Sequence, residues 1–196
     1  MTAKKIGLFF GSFNPIHHGH LMLATYLVEH TDLDKIWFVI SPHNPFKKKS
    51  SLLADHHRLQ LVNLSVEDNP LLEVSSIEFK LPQPSYTIDS LTYLHEKHPE
   101  KEFKLICGTD ILPSFNKWKN FEEIIKQYEI YVYNRPGEHS HQYSNHNSFK
   151  FITAPSFDIS SSFIRKSISE KKDIKYFLPD KVYDYIKEMH FYENRG

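Results

Sequence analysis

Cysteine is nearly missing from this chain, with one residue, Cys107, in 196. A lone thiol closes no internal disulfide, which excludes a small secreted scaffold stapled by disulfides. Its neighbours Leu105 and Ile106 make it read as a small core residue in a reducing compartment, so a cytoplasmic protein is expected. Net charge is missing as well, since Lys plus Arg and Asp plus Glu number 24 each. No long-range field draws in nucleic acid or an anionic membrane, and any anion site must be built locally. No run approaches the roughly 20 apolar residues that span a bilayer. The opening MTAKKIGLFFG carries two lysines and a short apolar run but meets no small-residue cleavage site, so no secretory leader is expected.

What is present is an alternation of short apolar runs with longer helical patterns. With 40% hydrophobic and 14% aromatic residues the chain can bury a substantial core. One domain over residues 1–196 is expected, with a helical C-terminal part from about 159. KIGLFF, Lys5 to Phe10, reads as a buried strand. In LMLATYLVEH the pairs Leu23 with Leu27 and Ala24 with Val28 repeat at helical spacing, and KIWFVI, Lys35 to Ile40, is strand again. Strand, helix and strand within roughly 30 residues make a βαβ unit, whose strands lie parallel and whose crossover is right-handed.

The pattern recurs. Helices are predicted over Asp55 to Val66, Thr87 to His98, Phe121 to Gln127, Ser161 to Ser169 and Asp180 to Met189. Extended segments are predicted over Leu72 to Phe79, Phe103 to Cys107, Ile130 to Tyr133 and Phe151 to Thr153. The expected fold is α/β, a doubly wound and mostly parallel sheet of Rossmann-like form. Two stretches interrupt it: SPHNPFKKKSS, Ser41 to Ser51, and the polar EHSHQYSNHNS, Glu138 to Ser148, which reads as a solvated loop.

GSFNPIHHGH, Gly11 to His20, stands where the first strand gives way to the first helix. In open α/β sheets ligands bind at the C-terminal ends of the strands, and this is the usual phosphate position. Gly11 would allow a sharp turn and a close approach to the backbone, and Gly19 would allow close packing at the helix start. The helix N-terminus offers unpaired N–H groups, and His17 and His20, three apart, would add directional donors to phosphate oxygens. A metal site is the weaker reading, because the motif holds no cysteine and no carboxylate. A loop with incidental histidines is the plain alternative. A second string, ISSSFIR from Ile159 to Arg165, opens a later helix. Its serines can cap the orphan amides or turn to a phosphate, and Arg165 can hold two phosphate oxygens in a planar fork.

In order and spacing the two strings resemble the signatures GxFxPxHxGH and SSSxIR of the nucleotidyltransferase superfamily. Within it the chain resembles the bacterial nicotinate-nucleotide adenylyltransferases, through SYTIDSL (Ser85 to Leu91), GTD (Gly108 to Asp110), Trp118 and NRPG (Asn134 to Gly137). The resemblance implies a Rossmann-like nucleotidyltransferase fold and adenylyl transfer from ATP to nicotinate mononucleotide. It places His17 and His20 on the ATP phosphates, Gly11 and Gly19 beside them, and Ser12 and Phe13 near the centre of the site. Ser161, Ser162 and Arg165 would hold the triphosphate tail, with His17, His20 and Arg165 as the catalytic set. Gly108 and Asp110 would lie at the adenosine end, with Arg135 in the nucleotide region. Trp118 would stack on the pyridine ring, Thr87 would meet the ring carboxylate, and Lys47 would reach a phosphate. Two departures from the family pattern stand out: the lysine loop around Lys47 and, after Trp118, Lys119 where relatives often carry tyrosine.

The residues keep other readings. Trp118 can be an exposed aromatic or a core anchor, Thr87 a helix cap, and Asp110 the cap of a short helix. For the chemistry, a phosphate monoester is largely a dianion at neutral pH, so the attacking oxyanion needs no general base. The task is to align two polyanions and stabilise the leaving pyrophosphate. Mg2+ is expected, held mainly by the ATP phosphates and water. ATP and nicotinate mononucleotide are the expected partners, and a homo-oligomer is neither required nor excluded. Alternative acceptors are nicotinamide mononucleotide or another phosphorylated compound such as phosphopantetheine. More distant is a non-catalytic nucleotide- or metal-binding module.

Overall fold

A computed structural model describes residues 3–42, 52–135, 143–155 and 158–194. Its centre is a six-stranded sheet: β1 (Lys4–Gly11), β2 (Lys35–Ile40), β3 (Leu72–Ser75), β4 (Lys101–Gly108), β5 (Ile130–Tyr133) and β6 (Phe149–Ile152). The spatial order is β3-β2-β1-β4-β5-β6, and every neighbouring pair is parallel. Parallel neighbours need crossovers, and helices between the strands supply most of them: α1 (His18–His30), α2 (Asp55–Val66), α3 (Thr87–Lys97), α4 (Leu112–Phe115) and α5 (Phe121–Gln127); α6 (Ser161–Ser169) and α7 (Asp180–Glu188) follow the last strand.

Strand alternation divides the core between the two faces. Ile36, Phe38 and Ile40 of β2 pack on one side with Leu23, Ala24 and Leu27 of α1, Leu61 and Val62 of α2, Ile164 of α6 and Val182 of α7. Trp37 and Val39 point to the other side, against Ile88, Leu91 and Leu94 of α3, Phe115 of α4 and Ile124 of α5. The C-terminal helices therefore bury their apolar stripes in the same cluster as the first βαβ unit. Cys107 lies in the second cluster, 6% exposed, as expected for a small core residue. No helix among the described residues is long and apolar enough to cross a membrane.

Three expectations need correction. The segment Leu72 to Phe79 does not stay extended. β3 ends at Ser75, the last residue paired to β2, and a 3-10 turn follows over Ile77–Lys80. That turn carries the Glu78 carboxylate inward, where it accepts the Ser90 hydroxyl at 2.7 Å. The last strand begins two residues earlier than Phe151, at Phe149. The described part of the polar 138–148 stretch is also not simply solvated, because the Tyr143 ring stacks on Phe149 at 4.7 Å and 6°.

The chain leaves β1 toward β2 on one side and returns to β4 on the other, so the topological switch point lies between β1 and β4. Beyond their C-terminal ends the two halves of the sheet open a crevice. Arg58 of α2, fully buried, fixes the loops at that edge. Its guanidinium donates to the carbonyls of Ser12 (2.7 Å), Ser41 (2.8 Å), Pro42 (3.2 Å) and Leu53 (3.1 Å) and to the Asp55 carboxylate (2.5 Å). A lysine carries no planar fork and would leave several of these carbonyls buried without a donor. Arg58→Lys is therefore expected to lower the unfolding free energy by about 2–4 kcal/mol in urea titrations. A loss below about 0.5 kcal/mol, the scatter of surface substitutions, would contradict this role.

Candidate active site

The turn after β1 is set by aromatic packing and by donors that arrive from far along the chain. The left-handed residue there is Phe13 (φ 43°), not Gly11. A phenylalanine keeps this conformation because its ring is wedged edge-on to Phe9 (5.8 Å), Phe38 (5.3 Å) and His20 (5.2 Å). Gly11 serves that wedge, since a Cβ there would stand 2.8 Å from the Phe13 ring. Ser161 Oγ donates to the Pro15 carbonyl at 2.8 Å, and Arg165 Nη1 donates to the Asn14 carbonyl at 2.7 Å. The two sequence motifs, about 150 residues apart, are thus hydrogen-bonded to each other (|i−j| 146 and 151).

Helix α1 begins with His17 as its N-cap, in extended conformation. The His17 and His20 rings stack at 3.7 Å, and the His17 backbone N–H donates to His20 Nδ1 at 3.3 Å. An accepting Nδ1 leaves the ring hydrogen of neutral His20 on Nε2. At Gly19 the arrangement leaves little room: a Cβ would lie 3.1 Å from His17 Nδ1, and that ring would have to give by a few tenths of an ångström. The same Cβ position is 3.8 Å from Cβ of Ile159, so the start of α1 faces the approach to α6 across one cleft. That approach ends in Ser160, the N-cap of α6, whose hydroxyl accepts the Phe163 N–H at 3.1 Å.

The cleft has a volume of about 380 Å³. Phe9, His17, Gly19, His20 and Leu23 line it from the β1–α1 side, Asp110 from the end of β4, and Tyr133, Asn134 and Arg135 from the end of β5. Ala154, Pro155, Asp158, Ile159 and Ser160 close it before α6. Arg135 Nη1 donates to Asp110 Oδ2 at 2.9 Å, and its backbone N–H donates to Thr109 Oγ1 at 3.1 Å. Gly108 lies behind this pair, where a Cβ would come within 2.4 Å of Asp110 Oδ1 and 3.1 Å of Arg135 Cδ. Asp110 sits inside a 3-10 turn and engages Arg135; no capping hydrogen bond is made there.

His17 is 4% exposed, and burial, reinforced by the electrostatic influence of Arg135 and His18, depresses its pKa to about 4. It is therefore a neutral imidazole at pH 7. Its Nδ1 is buried and faces the N–H of His20 across the capping box, but among the described residues it makes no hydrogen bond of full geometry. A buried polar atom without a full hydrogen bond, at a helix N-terminus and beside a cleft, is the kind of group a ligand completes.

The remaining expected residues divide. Ser161, Ser162 and Arg165 follow the lining residue Ser160 in α6 but do not themselves line the cleft: Ser161 and Arg165 bind the Asn14–Pro15 backbone, and Arg165 Nη2 donates to Ser162 Oγ at 3.1 Å. Phe13 is 3% exposed, so its side chain is core. The Ser12 carbonyl belongs to Arg58. Thr87 is the first residue of α3 and Trp118 packs half-buried on Phe115 at 4.9 Å. Lys119, the residue after Trp118, donates to both Asp89 oxygens of α3 at 2.9 Å and lies 4.8 Å over the Tyr86 ring, and neither Thr87 nor Trp118 lines the cleft. Lys47 lies outside the described residues. Among the described residues no group of three His, Cys, Asp or Glu side chains is placed to hold a metal. The sequence reading missed Phe9, Leu23, Tyr133, Asp158 and Ser160 as lining residues. Their signal was positional only, at strand ends or next to a motif.

Comparison with known proteins agrees with this architecture. Residues 8–167 match the model of the cytidylyltransferase-like family. A relative from Flavobacterium psychrophilum is 52% identical over 191 residues, covering 96% of this chain and 99% of its own length. One from Bacillus pumilus is 37% identical and covers 97% and 100%. Both carry the name "Probable nicotinate-nucleotide adenylyltransferase". Among solved structures, Plasmodium falciparum nicotinic acid mononucleotide adenylyltransferase complexed with NaAD superposes with a TM-score of 0.82 at 22% identity, covering 96% of this chain and 97% of that one. At that identity the likeness speaks for the fold. The chain belongs to the cytidylyltransferase-like family of nucleotidyltransferases and, within it, to the nicotinate-nucleotide adenylyltransferase group.

The state of His17 can be read from stability. Between pH 6.5 and about 4 the unfolded chain protonates this imidazole while the folded chain does not, so stability falls as the pH is lowered through that window. Relative to His17→Gln, the wild-type chain should lose up to about 1.4 kcal/mol per pH unit there in urea unfolding. Parallel pH profiles for the two proteins would contradict a neutral, buried His17.

Proposed function

We propose that the chain transfers the adenylyl group of Mg-ATP to nicotinate mononucleotide, forming nicotinate adenine dinucleotide and pyrophosphate. An oxygen of the mononucleotide phosphate attacks the α-phosphorus of ATP, and the bond to the β-phosphate oxygen breaks. The observation that carries this reading is the hydrogen-bonded convergence of two helix starts, α1 and α6, on one cleft at the switch point. Both helix starts favour negative charge, as a triphosphate requires. The names of relatives at 52% and 37% identity support the acceptor.

In this reading His17 and His20 donate to the ATP phosphates as the leaving charge develops. Arg165 has five N–H groups, of which one is engaged with Asn14 and one with Ser162, so others remain for phosphate oxygens. Ser161 and Ser162 line the same helix start, and Gly11 and Gly19 make room for the two aromatic anchors. Asp110, Gly108 and Arg135 form the adenosine wall, where a carboxylate suits ribose hydroxyls better than phosphate. Ser12 and the Phe13 backbone lie between the two substrates. Trp118 offers a ring face to the pyridine, Thr87 the start of α3 to its carboxylate, and Lys47 a charge to a phosphate. Mg2+ belongs to the ATP substrate, held by its phosphates and water. A reducing cytoplasm suits the free Cys107.

Two measurements test the proposal. With Mg-ATP, kcat/KM for nicotinate mononucleotide should exceed that for nicotinamide mononucleotide and for phosphopantetheine. A preference for either alternative would replace the acceptor, and ATP binding without turnover on any would reduce the chain to a binding module. His17→Ala and His20→Ala should each lower kcat by about 100-fold while mononucleotide affinity changes by less than about 3-fold. Equal losses in both quantities would contradict a role confined to the transition state.

A further inference from the structure

The cleft is supported by a residue that no motif points to. α7 ends at Glu188, and the chain then reverses through a Schellman turn: the His190 N–H reaches the Lys187 carbonyl at 3.2 Å and the Phe191 N–H reaches that of Ile186 at 3.1 Å. This turn normally uses glycine at its left-handed position, yet here it is His190 (φ 53°), and two residues later Tyr192 is left-handed as well (φ 64°). Each such residue carries backbone strain that glycine would not. The docked tail offsets that strain. Phe191 packs against His57 of α2 at 4.7 Å, and Asn194 Nδ2 donates to the Ser169 carbonyl at the end of α6 at 3.3 Å.

Between these anchors Tyr192 reaches back 178 positions, and its hydroxyl donates to Asn14 Oδ1 at 2.8 Å. Asn14 is 4% exposed and is gripped on both of its oxygens: Oδ1 also accepts the Leu53 N–H at 3.2 Å, and its carbonyl accepts Arg165. The Tyr192 hydroxyl also lies within electrostatic reach of Arg165 and Arg58, the two arginines that hold the same turn. Two strained backbone positions in three residues, in a tail that delivers one hydroxyl to the phosphate-side turn, are the mark of a conformation maintained for the site it supports.

We propose that Tyr192 is a positioning residue for adenylyl transfer, acting through Asn14 to hold the Ser12–Pro15 turn at the geometry the reaction needs. This inference rests on the function proposed above. The hydroxyl touches no substrate, so its effect should fall on kcat, where small misplacements of the reacting groups are felt most.

Tyr192→Phe removes one oxygen and keeps the ring. It should lower kcat by about 5- to 20-fold with both KM values within about 2-fold, at a melting temperature within a few degrees of wild type. Hydrogen exchange of unliganded protein should be faster in the peptide covering Gly11–His20. In an Asn14→Ala background the same substitution should have no further effect on either readout. An unchanged kcat with unchanged exchange at 11–20 would overturn the proposal, as would an equal effect of Tyr192→Phe with Asn14 already removed. If Asn14→Ala does not fold, the single variant still decides through its exchange pattern. Failure of the wild-type chain to adenylylate nicotinate mononucleotide would instead defeat the proposed reaction, and the exchange measurement would report on Tyr192 independently.

Discussion

Between Ser12 and Pro15 three carbonyls and one amide oxygen are each taken by a side-chain donor from elsewhere in the chain: Ser12 by Arg58, Asn14 by Arg165 and by Tyr192, and Pro15 by Ser161. A turn between a strand and a helix has no ladder of its own to satisfy these groups, and burying them without partners would cost about 1–3 kcal/mol each. The donors come from α2, α6 and the tail after α7, so the turn takes its shape only when those elements are docked. Everything that faces the cleft from this side, including the stacked pair His17 and His20, inherits its position from that turn.

This arrangement also answers how a chain with no net charge binds polyanions. The cleft concentrates short-range donors at two helix starts, and the arginine that lines it, Arg135, is matched by Asp110. A buried neutral His17 presents a dipole without adding a buried, unpaired cation. Such donors gain strength as a ligand displaces water from the cleft, which suits a reaction in which charge moves between phosphates.

Much of the architecture was legible in the sequence because its signals are local. KIGLFF and KIWFVI are short apolar runs with turn residues after them, and the helical spacing in LMLATYLVEH fixes the crossover. The two motifs could be read as anion sites because helix starts, glycine and phosphate-type donors recur in both. The local signals failed where tertiary contacts decide. β3 stops at Ser75, one residue short of the end of β2 at Ile40, because the chain turns there and carries Glu78 to Ser90. Gly11 is needed for a Phe13 ring that packs from two positions away, so the left-handed turn falls on the phenylalanine. Arg58 and Tyr192 carried no signal at all, since a lone arginine in a helix and a tyrosine near a chain end are ordinary surface residues until their partners are known.

The sharpest test of the convergence is a crystal structure of the protein with a non-hydrolysable ATP analogue and Mg2+. One triphosphate should lie with oxygens within hydrogen-bond distance of the α1 start at His17–His20 and, at its other end, of the α6 start at Ser160–Arg165, with the Ser12–Pro15 turn unmoved. A triphosphate contacting only one of the two helix starts, or lying away from the β1–β4 crevice, would contradict the account.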